Sequence, residues 1–248
     1  MRAAACVAAM LLWLPAPVWA ESLVSTLSDD AIRITSNFTG ERIVVFGAVQ
    51  GAQEGDPGYQ VAVVVQGPSQ DVVVRQKARV LGVWVNRESQ AFHAVPSYYV
   101  MHVSPNFAQA IGADELQQYR LGVRSLPFAQ AGGDPKLAGF ARAVVDLKTR
   151  RGLYAERDSF VEFIGSGVFR TTFFLPSQIP TGDYRISVYL FRDQTFLGST
   201  TDTLHVAKGG FSERVARFAD KSALLYGLLC VALAVGTGWL AGIIFRRP

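Results

Sequence analysis

Arg75, Lys77 and Arg79 stand at every second position of the run VVVRQKARVLGVWVN, residues 72–86, and Trp84, Asn86 and Arg87 follow closely. In an extended strand side chains alternate between faces, so the three cations leave one face about 6.6 Å apart while Val74, Ala78 and Val80 take the other. Cations in a row repel one another unless they are solvated or paired with an anion, and arginine grips an oxyanion through two parallel hydrogen bonds. Two readings stay open. The row, with Trp84, Asn86 and Arg87, could bind a sulfate-like or carboxylate ligand or the acidic surface of a partner. It could equally be the wet face of a strand whose charges discourage edge-to-edge pairing.

The remaining residue types point to no reaction. His93, His102 and His205 lack the close spacing with a carboxylate that a metal site needs, so structural histidines are expected and no metal. There is no G-x-S-x-G, no P-loop and no G-x-G-x-x-G, and GSG at 165–167 reads as a turn. No catalytic residue and no cofactor is expected. A net charge of +4 is mild, and with an exported location it argues against nucleic acid as a partner.

The elements that carry these residues are mainly β. Short runs rich in Val, Ile, Phe, Tyr and Thr recur at 31–35, 42–49, 59–65, 71–77, 80–85 and 97–103, and again at 160–164, 168–175, 183–191 and 199–206. GPSQ, residues 67–70, has the composition of a hairpin turn between two of them. Pro180 and Gly182 form a turn before Tyr184, a residue type that in immunoglobulin-like sandwiches ties such a corner to nearby backbone. Between the two groups the period becomes helical. Asp134 is placed to cap a helix with Pro135 in its first turn, a stripe of Leu137, Phe140, Ala141 and Val144, and Gly152 as its stop. A shorter helix is expected over 113–122. The expected fold is therefore mainly β: an immunoglobulin-like β-sandwich over 21–207 with a mixed α/β insertion at about 80–157, plus one C-terminal transmembrane helix. Two small domains in tandem are the rival arrangement.

The ends place the molecule. Residues 1–20 combine Arg2, an apolar run and a break at Pro15 and Pro17 before small residues, the pattern of a signal peptide cleaved after Ala20. Residues 222–245 hold no charge, and 24 residues make roughly 36 Å of helix, enough to cross about 30 Å of hydrocarbon. A juxtamembrane amphipathic helix is expected at 208–221, with Val215, Phe218 and Ala219 on one side and Arg214 and Arg217 on another, and a cytoplasmic tail at 246–248. The charge count does not favour that orientation, since Lys208, Arg214, Arg217 and Lys221 lie on the outer flank; the leader outranks it. The two cysteines, Cys6 and Cys230, fall in the leader and the span, so the exported domain has neither disulfide nor thiol chemistry, which favours a bacterial envelope. Within the span Ala234, Gly238 and Gly242 recur every fourth residue and could let a second helix approach, another protein's or that of a second copy.

FTGERIVVFGAV, VVVRQKARVLGVWVN with the later VPSYYV, VFRTTFFLPSQIPTGDYRISVYLFRD, and AKGGFSERVARFADKSALLYGL with GWLAGIIFRR follow in a distinctive order. In these pieces nearly the whole chain resembles a family of single-span transmembrane proteins described mainly from alphaproteobacteria. The resemblance implies an inner-membrane protein with a periplasmic domain, and it implies no reaction. It also suggests an integral membrane partner, an anion exporter of the sulfite/taurine type, beside which such proteins tend to be encoded. The function expected is thus a non-enzymatic accessory or interaction subunit held in the lipid bilayer; the alternative is a periplasmic domain that binds or senses small anions, and an envelope enzyme ranks behind both.

Overall fold

A computed structural model describes residues 22–35, 38–52, 58–80, 82–130, 134–209, 215 and 218–244. The expected leader at 1–20, the tail at 246–248, and Arg214 and Arg217 of the juxtamembrane helix lie outside the described residues.

Two sheets face each other. The first has the order β1 (Ser22–Leu27), β3 (Gly40–Gln50), β10 (Val168–Pro176), β9 (Glu162–Phe163), and all its pairings are antiparallel. The second has the order β2 (Ala31–Ile34), β12 (Thr195–Lys208), β11 (Gly182–Arg192), β4 (Tyr59–Gln66), β7 (Tyr99–Val103), β8 (Tyr154–Arg157). Here β2 runs parallel to β12 and β8 parallel to β7. Alternation makes the sandwich: β10 buries Phe169, Thr171, Phe173 and Leu175 and exposes the residues between them. These side chains meet Val61, Val63 and Val65 of β4 and Tyr184, Ile186, Val188 and Leu190 of β11 in one core.

The second sheet is covered on its other face too, which explains why β4 reads as the almost unbroken apolar run YQVAVVVQ. Ala62 and Val64 point away from the sandwich core and join Tyr99, Met101, Val103 and Phe191. Phe107, Ile111, Leu121, Val123 and Leu126 close over them from the segment that holds α1 (Phe107–Ala110) and α2 (Ala113–Gln118). The longer helix, α3 (Pro135–Arg150), starts as the sequence indicates: the Asp134 carboxylate accepts from the Lys136 N–H at 2.9 Å and Pro135 occupies the first turn.

The structure corrects the sequence reading in five places. Residues 67–70 are not a hairpin turn, because β4 and the next strand, β5 (Ser69–Val80), do not pair. The run 80–85 is not one strand. The chain reverses at Gly82, whose φ of +86° favours glycine, and β6 (Val83–Pro96) returns along β5 as a separate two-stranded sheet. The expected sandwich strand 71–77 therefore stands outside the sandwich. Conversely β7 and β8, both inside the range expected for the insertion, are strands of the large sheet. Finally, the expected strand 160–164 shrinks to Glu162–Phe163, while β1, β8 and the distal part of β6, whose polar or short runs carry no strong signal, are additional.

Candidate functional site

β5 and β6 form an arm, and its base shows how it leaves the sandwich. The β4–β7 ladder ends at the pair Gln66 and Tyr99. Gly67 N–H then donates to the Tyr98 carbonyl at 2.8 Å, Ser97 N–H donates to the Pro68 carbonyl at 2.9 Å, and the pair Ser69 and Pro96 opens the next ladder. Both strands thus run on through a kink, with no turn. Pro68 lies so close to Gly182 that a Cβ there would fall 3.0 Å from its Cγ. Gly182 pairs with Val206 of β12, so the arm departs from the end of the sheet at which β12 runs toward the apolar helix.

Half of the arm is packed. Val72, Val74, Phe92 and Val95 meet Leu137, Phe140, Ala141 and Val144 of α3, together with Phe128. Phe92 stands edge-on to Phe128 with ring centres 6.1 Å apart. Lys148, near the C-terminal end of α3, is buried; its ammonium donates to the Ser97 carbonyl at 3.2 Å and sits 5.3 Å from the centre of the Tyr154 ring. Burial first, and Arg151 second, pull its pKa down to about 8. At the N-terminal end Lys136 lies 4.0 Å from Glu88. A groove of about 590 Å³ there is lined by Arg75 with Glu88, Lys136 and Phe140. Asp134 caps one N–H of this helix end, and Glu88 offsets one of the two cations, Arg75 and Lys136, that line the groove.

The cationic row runs from the groove, where Arg75 lies, to the tip of the arm, where Lys77 and Arg79 stand clear of α3. Arg75 is opposite Ser89, Lys77 opposite Asn86 and Arg79 opposite Trp84, and all six are exposed. Arg87 is the extra residue where the register shifts between Gln76 and Lys77. Arg79 Nε donates to the Gly82 carbonyl at 3.3 Å across the turn. Among the described residues no carboxylate pairs with Arg75, Lys77 or Arg87. The structure therefore brings Arg75, Lys77, Arg79, Trp84, Asn86 and Arg87 together on one projecting ribbon, and it does not enclose them. The sequence reading missed that Val83 and Val85 are also exposed at the tip. The glycine at 82 between two strand-like runs was the available signal.

The histidines are kept apart. His93 lies 3.2 Å from Asp71 and His205 2.7 Å from Asp183, both pairs at the surface. His102 is buried between the sheets, 2.8 Å from the Thr171 hydroxyl and stacked on Phe173 with ring centres 4.0 Å apart. Burial, then the charge of Arg157, lowers its pKa to about 4. Among the described residues no three His, Cys, Asp or Glu side chains gather as a metal would require.

The span is α4 (Ala223–Ile244). Its segment Ala223–Ile243 has a mean hydropathy of 1.9 and none of it is buried against the rest of the chain. The Ser222 N–H donates to the Phe218 carbonyl at 3.0 Å and the Tyr226 N–H to the Ser222 carbonyl at 2.9 Å, so helical bonding leads into it from Phe218. Ala234, Gly238 and Gly242 fall on one side, and a Cβ added at either glycine would meet nothing within 4 Å.

A β-sandwich followed by one apolar helix that fits a membrane anchor defines the class. The family described as "Putative transmembrane protein (Alph_Pro_TM)" matches residues 22–247, and the chain belongs to it. No curated protein matches the sequence. Among solved structures, the native conformation of E. coli alpha-2-macroglobulin is similar over 76% of this chain at 14% identity, with a TM-score of 0.27. This chain spans 10% of that one's length.

Proposed function

We propose that this protein is a non-enzymatic accessory subunit of an integral membrane partner, with its β-sandwich in the bacterial periplasm after removal of an N-terminal leader and its span in the inner membrane. The observation that carries the reading is a membrane helix free of its own domain on every side, with Ala234, Gly238 and Gly242 in line. Small residues at this spacing give a second helix the close approach that association in lipid depends on. The sandwich acts as an immunoglobulin-like binding domain, a reading supported by the corner at Tyr184, whose hydroxyl donates to the Pro180 carbonyl at 2.8 Å. An anion exporter of the sulfite/taurine type is the proposed partner.

The test is capture of the tagged full-length chain from native membranes in mild detergent, beside a Gly238→Leu, Gly242→Leu double variant. One polytopic membrane protein recovered with the wild type and lost with the variant is the expected result. Equal recovery from both, or none from either, would sink the proposal, and small-anion titration of the purified protein would follow.

A further inference from the structure

We propose that the tip of the β5–β6 arm seats in the anionic headgroup layer of the bilayer that holds the protein's own span, on the domain's side. The inference is independent of any protein partner. It rests first on the chemistry of the tip. Val83 and Trp84 are each 64% exposed and Val85 is 40% exposed. The register puts Trp84 on one face, opposite Arg79, and Val85 on the other, opposite Ala78. A protein docked against one face would leave the other wet. The bilayer interface surrounds the tip and meets both faces at once, and tryptophan among cationic residues is the composition of segments that lodge at the headgroup level.

Charge points the same way. From Val72 to Arg87 there are four cations, Arg75, Lys77, Arg79 and Arg87, and no carboxylate. Such a segment is drawn to an anionic leaflet by roughly a Debye-length field, about 8 Å at physiological salt. A small-anion site would need enclosure, and beyond the groove at Arg75 the exposed tip offers none.

Position and reach complete the case. The arm leaves the large sheet beside Gly182 and Val206, the end from which β12 leads toward the membrane. Beyond the contact of Glu88 with Lys136, four paired rungs from Lys77–Asn86 to Val80–Val83 extend free of α3, roughly 13 Å of ribbon. The 12 residues of β5 span up to about 40 Å. The nine residues from Gly209 to Arg217 span at most about 32 Å and the helical turn from Phe218 to Ser222 adds about 8 Å, so the domain stays within about 40 Å of the span and the arm is long enough to reach the surface.

The test uses the full chain with C6S and C230S, spin-labelled at Val83→Cys and, separately, at Ser89→Cys, in nanodiscs of phosphatidylcholine with or without phosphatidylglycerol. Collision with a water-soluble nickel complex and with oxygen reports depth. In the anionic discs the label at 83 should lose nickel access and gain oxygen access, while the label at 89 stays in water. Adding Lys77→Glu, Arg79→Glu and Arg87→Glu should shift the bound-to-free ratio of the tip on the order of a hundredfold. Molar salt, which needs no substitution and shortens screening to about 3 Å, should shift it in the same direction. A label at 83 that stays nickel-accessible in anionic discs overturns the proposal. So does shielding unchanged by both charge reversal and salt, or shielding in native membranes alone, which would name a protein as the occupant.

Discussion

Tyr184 ties a corner through its hydroxyl, which donates to the Pro180 carbonyl and lies against Ser97, so Tyr184→Phe removes both contacts: the ring stays in the core and the Pro180 carbonyl loses its donor. A loss of about 1–2 kcal/mol is expected in denaturant unfolding, with no change of fold. Burial, opposed by a contact with Ser97, raises the hydroxyl's pKa to about 12, so the effect should be constant across neutral pH. His102 behaves oppositely. Its pKa is about 4 in the fold against 6.5 unfolded, so between those values the unfolded chain binds a proton that the native state refuses. Stability from this group is complete above pH 6.5 and is lost as pH falls toward 4, by up to about 3 kcal/mol. His102→Gln, which keeps a partner for Thr171, should flatten the stability profile between pH 6.5 and 4. An unchanged slope would assign the acid sensitivity to other groups.

The arm is the element whose behaviour separates most clearly from the sandwich. Phe92 packs with Phe128 and the apolar stripe of α3, so Phe92→Ala should cost about 3 kcal/mol locally. Limited proteolysis should then cut within 69–96 first, while the β10 and β11 amides keep their hydrogen-exchange protection; simultaneous loss of both would mean that arm and sandwich unfold as one unit. The arm also shows where the sequence stopped being legible. α3 was readable because Asp134, Pro135 and Gly152 mark its ends by local chemistry, and β10 because Phe169, Phe173 and Leu175 alternate over one buried face. The cationic row was readable for the same reason. Its partners were not, since the opposition of Arg79 to Trp84 and of Lys77 to Asn86 depends on a reversal at Gly82 hidden inside an apolar run. The outer half of β6 is exposed on both faces and has no period to detect, and at Pro68 a composition typical of turns makes only a kink in a continuing ladder.

At the scale of the whole molecule, the span and the domain are coupled through little more than the chain between Lys208 and Ala223. A substitution in the span should therefore alter association without altering the stability of the sandwich. Gly238 tests this, because a side chain there meets none of the protein's own atoms. Leucine is a better helix former than glycine, so α4 itself is not weakened by Gly238→Leu. What changes is its smooth side, where a leucine holds a second helix away from Ala234 and Gly242. An overpacked contact of about 1–3 kcal/mol corresponds to roughly fivefold to a hundredfold in association. Cross-linking in native membranes should show that loss, for a partner or for a second copy, while denaturant unfolding of the β domain stays within about 0.5 kcal/mol of wild type. Retained cross-linking would leave α4 as an anchor alone and move any recognition to the sandwich. A parallel loss of domain stability would instead show that domain and span touch in the membrane-bound state.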